Sequence, residues 1–368
     1  MGFESGTVSF RLFALPRQLP DDAISRFAAY AAGGLEAVTA EESAGWVTGR
    51  HLLDRSITEA SLSYAGYLRV TLRQAQRRIP VSLLQAECRM EELAAQAAGG
   101  GLFPNRRKRQ EIRQAVQERL LPAMPPQLKG IPVVHQPGSP VLYAGAMNQH
   151  ACDLLVARFT QTMGFPLYPV TPEQAAHDLR QVDVLDLPPV SFSPDLDDGL
   201  MAPQAGRDFL TWLWFQAETH PDGIPLPDIG RLAILLEGPL TFMHEGGGAH
   251  VTVLRKGEPT GSAEAKTCLL SGKKLKQAKL TFGLPGDQFW AFTFDADAFL
   301  FRGVALRDEE GALDPMSRFQ SRMRQIERLR EMLLALYDRF LEERTHKAGW
   351  PGAKKQIREW ARARSARV

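Results

Sequence analysis

Apolar and polar residues alternate over Thr7-Val8-Ser9-Phe10-Arg11-Leu12-Phe13, which predicts a strand with one face toward a core. Pro20-Asp21-Asp22 then opens a helix through Ile24, Phe27 and Tyr30, closed by Gly33-Gly34. Gly45-Trp46-Val47 and the run from Tyr67 to Leu72 predict further strands. Pro80 begins a helix whose apolar positions Leu83, Met90, Leu93 and Ala97 fall at heptad-like spacing. Gly99-Gly100-Gly101 and Pro104 interrupt it, and a second helix begins near Asn105 with Ile112, Val116 and Leu120 on one stripe. Arg106, Arg109 and Arg113 run alongside that stripe, because spacings of three and four keep side chains on one helix face. Leu121-Pro122 ends this helix, Leu142 to Gly145 predicts a strand and Ala151 to Met163 a helix. Residues 1–170 therefore read as an N-terminal α+β domain.

The second half changes rhythm. Residues 183 to 205 hold Pro188-Pro189, Pro194 and Asp195-Leu196-Asp197-Asp198, the clearest loop or linker in the chain. Asp208 to Glu218 forms a short aromatic helix within an acidic, proline-rich connector, 171–230. A β-rich domain, 231–312, follows, with strands expected at 232–236, 240–244, 250–254, 280–282 and 288–294. Asp314-Pro315 is a helix start, Asp as cap and Pro at the first helical position. Phe319, Met323, Ile326, Leu333, Leu336, Phe340 and Leu341 then keep an apolar stripe along a long C-terminal helix, 313–345. Its length suits docking on its own domain or pairing with a second chain. The tail, 346–368, is basic, and the expectation for it alone is partial disorder.

Composition is ordinary for a globular protein, 44% hydrophobic and 23% charged over 368 residues. Neither a bilayer-spanning apolar run nor a secretory signal stands out, and Cys88, Cys152 and Cys268 are too few and too scattered for a disulfide framework. The expected setting is cytoplasmic, with no membrane partner.

Charge alters the picture once it is divided along the chain. The net value is +2, yet Arg69–Arg119 carries 11 basic and 5 acidic residues, and Arg255–Lys279 carries 7 and 2. Arg344 to the end carries 8 and 1, while Val170–Glu245 carries 3 and 13. Clustered positive charge attracts polyanions even when the total is near neutral. Arg73, Arg77 and Arg78 stand at a strand-to-helix junction. Arg106, Arg107, Lys108 and Arg109 stand at a helix start, where backbone N–H groups already favour anions. Arg255-Lys256 ends a predicted strand, and Lys273, Lys274, Lys276 and Lys279 surround the turn into the next. Cations at turns and helix ends without interleaved aromatics suit phosphate contact better than base stacking, and no base-reading motif is present.

Candidate chemistry is sparse. His244 and His250 flank Gly246-Gly247-Gly248, a plausible hairpin, without the spacing of a metal site. Asp195, Asp197 and Asp198 lack the twelfth-position Glu of a calcium loop and read as a solvated acidic loop. Asp228, Glu264 and Lys266 could form a metal-dependent nuclease trio; the competing reading makes them surface charges on a hairpin. No cofactor and no catalytic residue is expected.

The order of several short motifs resembles the RdgC family, the bacterial recombination-associated proteins. They are Phe10-Arg11-Leu12, Gly45-Trp46-Val47, a basic turn into Ile79-Pro80, Glu118-Arg119-Leu120-Leu121-Pro122 and Phe165-Pro166-Leu167-Tyr168-Pro169. Leu235-Leu236-Glu237, Val251 to Lys256, Gly272-Lys273 and Phe294-Asp295-Ala296-Asp297 follow in the same order, so that the resemblance covers most of residues 7 to 345. It implies an elongated multi-domain subunit, with mixed or antiparallel sheets and flanking helices, of a ring-shaped homodimer. Such a ring encircles single- or double-stranded DNA through a positively charged hole and restrains the RecA recombinase, which places the protein at the nucleoid. Carried onto this chain, the resemblance implies that Arg77, Arg78, Arg255, Lys256 and Lys273 face the hole. The chain departs from the family in extra sequence around 183–230 and in the tail, and in Ala123-Met124-Pro125-Pro126, where the family has a basic, aromatic stretch. A metal-dependent nuclease and a protein-interaction scaffold that does not bind DNA are the alternative readings.

Overall fold

A computed structural model describes residues 2–100, 102–198, 203–244, 251–255, 259–286, 288–307 and 314–363. Lys256, His250 and the glycine turn at 246–248 lie outside the described residues. From the N-terminus the elements are β1 (Val8–Ala14), α1 (Ala23–Ala29), β2 (Ser43–Thr48), α2 (Glu59–Leu62), β3 (Ser63–Tyr64) and β4 (Tyr67–Arg77). Next come α3 (Val81–Ala98), α4 (Arg106–Leu120), β5 (Pro126–His135), β6 (Val141–Ala144), α5 (Gln149–Met163) and β7 (Tyr168–Pro169). Then follow α6 (Pro172–Arg180), α7 (Ala205–Thr219), β8 (Ile224–Leu226), β9 (Gly230–Met243), β10 (Val251–Leu254) and α8 (Ala263–Leu270). The last are β11 (Lys274–Leu284), β12 (Gln288–Asp295), β13 (Leu300–Ala305), α9 (Pro315–Thr345) and α10 (Trp350–Arg362). The fold is α+β with antiparallel strand pairing and a long C-terminal helix, as the sequence predicts.

The chain divides into two compact units that are discontinuous in sequence. One comprises residues 1–15, 141–149 and 168–368, the other residues 16–140 and 150–167. In the first, strands run in the order β10-β9-β11-β12-β13-β1-β6, with β7 on β1 and β8 on β9. Period-two alternation aims Leu280, Phe282, Phe292 and Phe294 into the core, where Phe292 meets Phe301 and Phe301 stacks on Phe10 with centroids 4.7 Å apart. The predicted stripe of α9, from Phe319 to Leu341, is wholly buried, each large side chain contributing about 1.5–3 kcal/mol. Asp314 caps α9 by accepting from the backbone N–H groups of Met316 and Ser317.

Expectations for four segments are sharpened or corrected in this unit. The described part of 183–205 is a loop, as expected, but a packed one: Val190, Phe192 and Ser193 are buried within it. Glu264 and Lys266 lie on a helix, α8, not on a hairpin, because Ser262 caps it by accepting from the Ala265 N–H. The tail is ordered over α10, whose Trp350, Ile357 and Ala361 are buried, and Trp360 meets the edges of Trp214 and Phe215 at 4.9 and 5.6 Å. The acidic loop is not simply solvated either. Asp198 accepts from Lys354 at 2.5 Å and Arg358 at 2.9 Å, and Asp195 pairs with Arg362 at 2.9 Å.

In the second unit β2 and β5 flank β4, with β3 paired to its start. Trp46 on β2 packs against Phe27 of α1 at 4.9 Å, and its indole N–H donates to the Thr162 hydroxyl on α5 at 2.7 Å. β5 carries Pro126, Gly130 and Pro132, residues that weaken a strand signature, yet it pairs with β4 along its whole length. From this small core α3 and α4 extend as an antiparallel pair. No residue of α3 is buried and only Val116 of α4 is.

Candidate nucleic-acid interface

The basic residues fall into three groups once their partners are known. On β4 the period-two pleat puts Arg69, Thr71 and Arg73 on one face, beneath the segment around Leu52. Arg73 is 3% exposed and its guanidinium donates to the carbonyls of Leu52 and Gly33. Burial, with the nearby charge of Arg55, pulls its pKa below the ordinary value. Arg77 donates to four carbonyls, those of Val38 at 2.8 Å, Pro122 at 3.2 Å, Leu35 at 3.3 Å and Met124. Arg73 and Arg77 therefore tie loops to the sheet; Arg73 is buried rather than a surface contact, while Arg77 is half-buried with its guanidinium engaged by carbonyls. Arg78 is exposed and, among the described residues, donates only to the Gln76 side chain, at 2.7 Å.

The α4 group is different. Asn105 caps the helix by accepting from the Lys108 N–H at 2.9 Å, so that Arg106, Arg107 and Lys108 occupy the first turn. Arg107 and Lys108 both lean on Glu111, at 3.2 and 3.4 Å. Arg106, Arg109 and Arg113 are exposed and carry no ion pair or hydrogen bond among the described residues. They line a groove against Val81, Leu84 and Cys88 of α3 that encloses about 440 Å³. Arg119 holds the two helices together through Glu87 and Glu91, at 2.9 and 3.2 Å. Sequence reasoning missed Leu102 and Phe103, which precede the cap, are 79% and 67% exposed, and supply the apolar and aromatic surface that the basic block was thought to lack. Arg89 of α3 lies over the Phe103 ring at 5.8 Å.

The third group lies in the other unit and is largely neutralised. Lys274 is buried and pairs with Asp208 at 2.5 Å. Burial pushes the Asp208 carboxyl up, against the pull of the Lys274 charge. Lys276 pairs with Asp297 at 3.1 Å, Lys279 with Glu237 at 2.9 Å, and Lys273 donates to the Thr252 hydroxyl at 2.6 Å. Lys274 is thereby corrected from a surface contact to a core residue. Arg255 is exposed at the end of β10.

Two members of the nuclease trio, Glu264 and Lys266, do not share a face. Two residues apart on a helix point to nearly opposite sides, so Glu264 is exposed while Lys266 is buried. Lys266 sits 3.1 Å from the Trp360 ring centroid and 3.4 Å from Glu218, and burial lowers its pKa to about 8. Asp228 lies in an exposed turn between β8 and β9. Among the described residues no three His, Cys, Asp or Glu side chains are grouped to hold a metal ion. Cys88, Cys152 and Cys268 form no disulfide among the described residues, and no described helix is long and apolar enough to cross a membrane.

No protein-family model matches the chain, and no curated protein matches it.

Proposed function

We propose that the chain is a non-catalytic protein that binds single- and double-stranded DNA through its phosphates without reading sequence. In line with its resemblance to the RdgC family, it acts as a homodimeric ring at the nucleoid and modulates RecA-dependent recombination. One observation carries the DNA reading: Arg106, Arg109 and Arg113 stand exposed on one face of α4 with no partner among the described residues. A cation held by a carboxylate must give up that partner before it meets a phosphate, whereas these three have only water to lose. Arg78 and Arg255 add exposed positive charge, and Lys273, Lys276 and Lys279 are contacts that would need their present partners exchanged.

The test is fluorescence anisotropy at low salt with two duplexes of unrelated sequence. Equal affinity for both, reduced alike when Arg106, Arg109 and Arg113 are changed to Gln, is the expected result. Binding to one sequence and not the other contradicts the reading, as does no binding at all.

A further inference from the structure

We infer that the groove between α3 and α4 is a single-strand subsite, taking an unstacked base and its flanking phosphates. The inference rests on the DNA reading and adds the strand form that this site prefers. A duplex presents phosphates outward and keeps its base faces stacked inside. Contact with a duplex backbone needs cations alone and gains nothing from apolar surface. The α3–α4 groove has both. Its α4 wall is Arg106, Arg109, Gln110 and Arg113, and its α3 wall is Val81, Leu84, Gln85 and Cys88 with Glu92, whose carboxylate is held by Arg89 at 3.4 Å. At about 440 Å³ it lies in the size range of small-ligand sites. Just before the Asn105 cap, Leu102 and Phe103 are exposed outside that lining, and Arg89 of α3, next to the lining residue Cys88, lies over one part of the Phe103 ring at 5.8 Å.

An exposed phenyl ring together with exposed guanidinium groups matches the working parts of single-strand sites, where bases stack on aromatic side chains and cations follow the backbone. Charge decides between this occupant and the obvious competitor, a second copy of the same arm. Two arms docked face to face would bring the free arginines of each toward those of the other, a like-charge juxtaposition that opposes association. A polyanion with exposed base faces satisfies the cations and the apolar surface together.

The test compares a thymidine oligomer with a blunt duplex of equal nucleotide count, read by anisotropy, for the full chain and for Phe103→Ala and Phe103→Trp. Phe103 is exposed, so both variants are expected to fold, and circular dichroism checks that they do. The expected result is that Phe103→Ala weakens single-strand binding by about tenfold, in the range of one lost stacking contact, and leaves duplex binding unchanged. Phe103→Trp restores single-strand affinity, and the new indole fluorescence is quenched by the thymidine oligomer. If the unmodified chain binds neither DNA, the DNA reading itself falls. If it binds both and Phe103→Ala weakens both equally or neither, the subsite is overturned while the DNA reading stands. If Phe103→Ala lowers the sedimentation coefficient and single-strand affinity falls only with it, the arm is a self-association surface and the subsite is again overturned.

Discussion

Lys266 shows why counting basic residues overstates a binding surface. Its ammonium lies between Trp214 and Trp360, with Glu218 as its carboxylate partner. Burial lowers its pKa from 10.5 to about 8, so the unfolded chain holds more protons than the folded one between those values. Its contribution to stability is therefore fully present above 10.5 and lost as pH falls through about 8. Lys266→Met is predicted to flatten the rise of the thermal midpoint across that window; an unchanged slope would contradict the assignment. Asp208 poses the complementary case. Asp208→Ala strands the buried Lys274 and is predicted to cost about 3–5 kcal/mol in a denaturant titration. Neither partner was legible in the sequence. Asp208 is far from Lys274 along the chain, and Glu218 is far from Lys266, so their charges entered the count as independent surface groups. The unpaired state of Arg106, Arg109 and Arg113 was equally hidden, because local spacing gives their shared face but not what lies opposite.

Elements were legible where cap and stripe agreed. Asp314-Pro315 and the apolar run behind it locate α9 at Pro315–Thr345, and Asn105 locates the start of α4. β5 was illegible because Pro126, Gly130 and Pro132 break the pattern on which a strand is recognised, and only pairing with β4 along its length restores it. α10, within a tail for which partial disorder is expected, was hidden for another reason. Its basic composition suggests a solvated tail, but Trp350, Ile357 and Ala361 repeat at helical spacing and face α7, α8 and α9. Docking then depends on apolar contact with ion pairs at its rim. Ile357→Ala is predicted to destabilise the protein by about 2–5 kcal/mol. Asp198→Ala, which removes the acceptor of both Lys354 and Arg358, is predicted to speed amide hydrogen exchange in α10 before it does so in α9. Equal protection of α10 in the variant and the unmodified chain would argue against the clasp.

At the scale of the whole chain, the two compact units cut across sequence order. β1 belongs with β13, almost three hundred residues later, through the register Phe10↔Phe301. Local pattern predicted both the early strand and the α+β class, but long-range pairing carries no signature within a window of ten or fifteen residues. The division also sorts the basic blocks. The lysines of β11 are matched by Asp208, Glu237 and Asp297 within their own unit, while Arg106, Arg109 and Arg113 of α4 in the other unit have no partner among the described residues. A chain of net charge +2 can therefore present concentrated positive charge on one helical arm. If phosphate contact by that arm is the basis of DNA binding, its signature is electrostatic and must appear in salt dependence. The decisive measurement is the slope of log K against log salt for duplex DNA, for the unmodified chain and for a variant with Arg106, Arg109 and Arg113 changed to Gln. Three lost phosphate contacts are predicted to make the slope shallower by about 2.7 on any sequence. An unchanged slope in a folded variant would contradict the account.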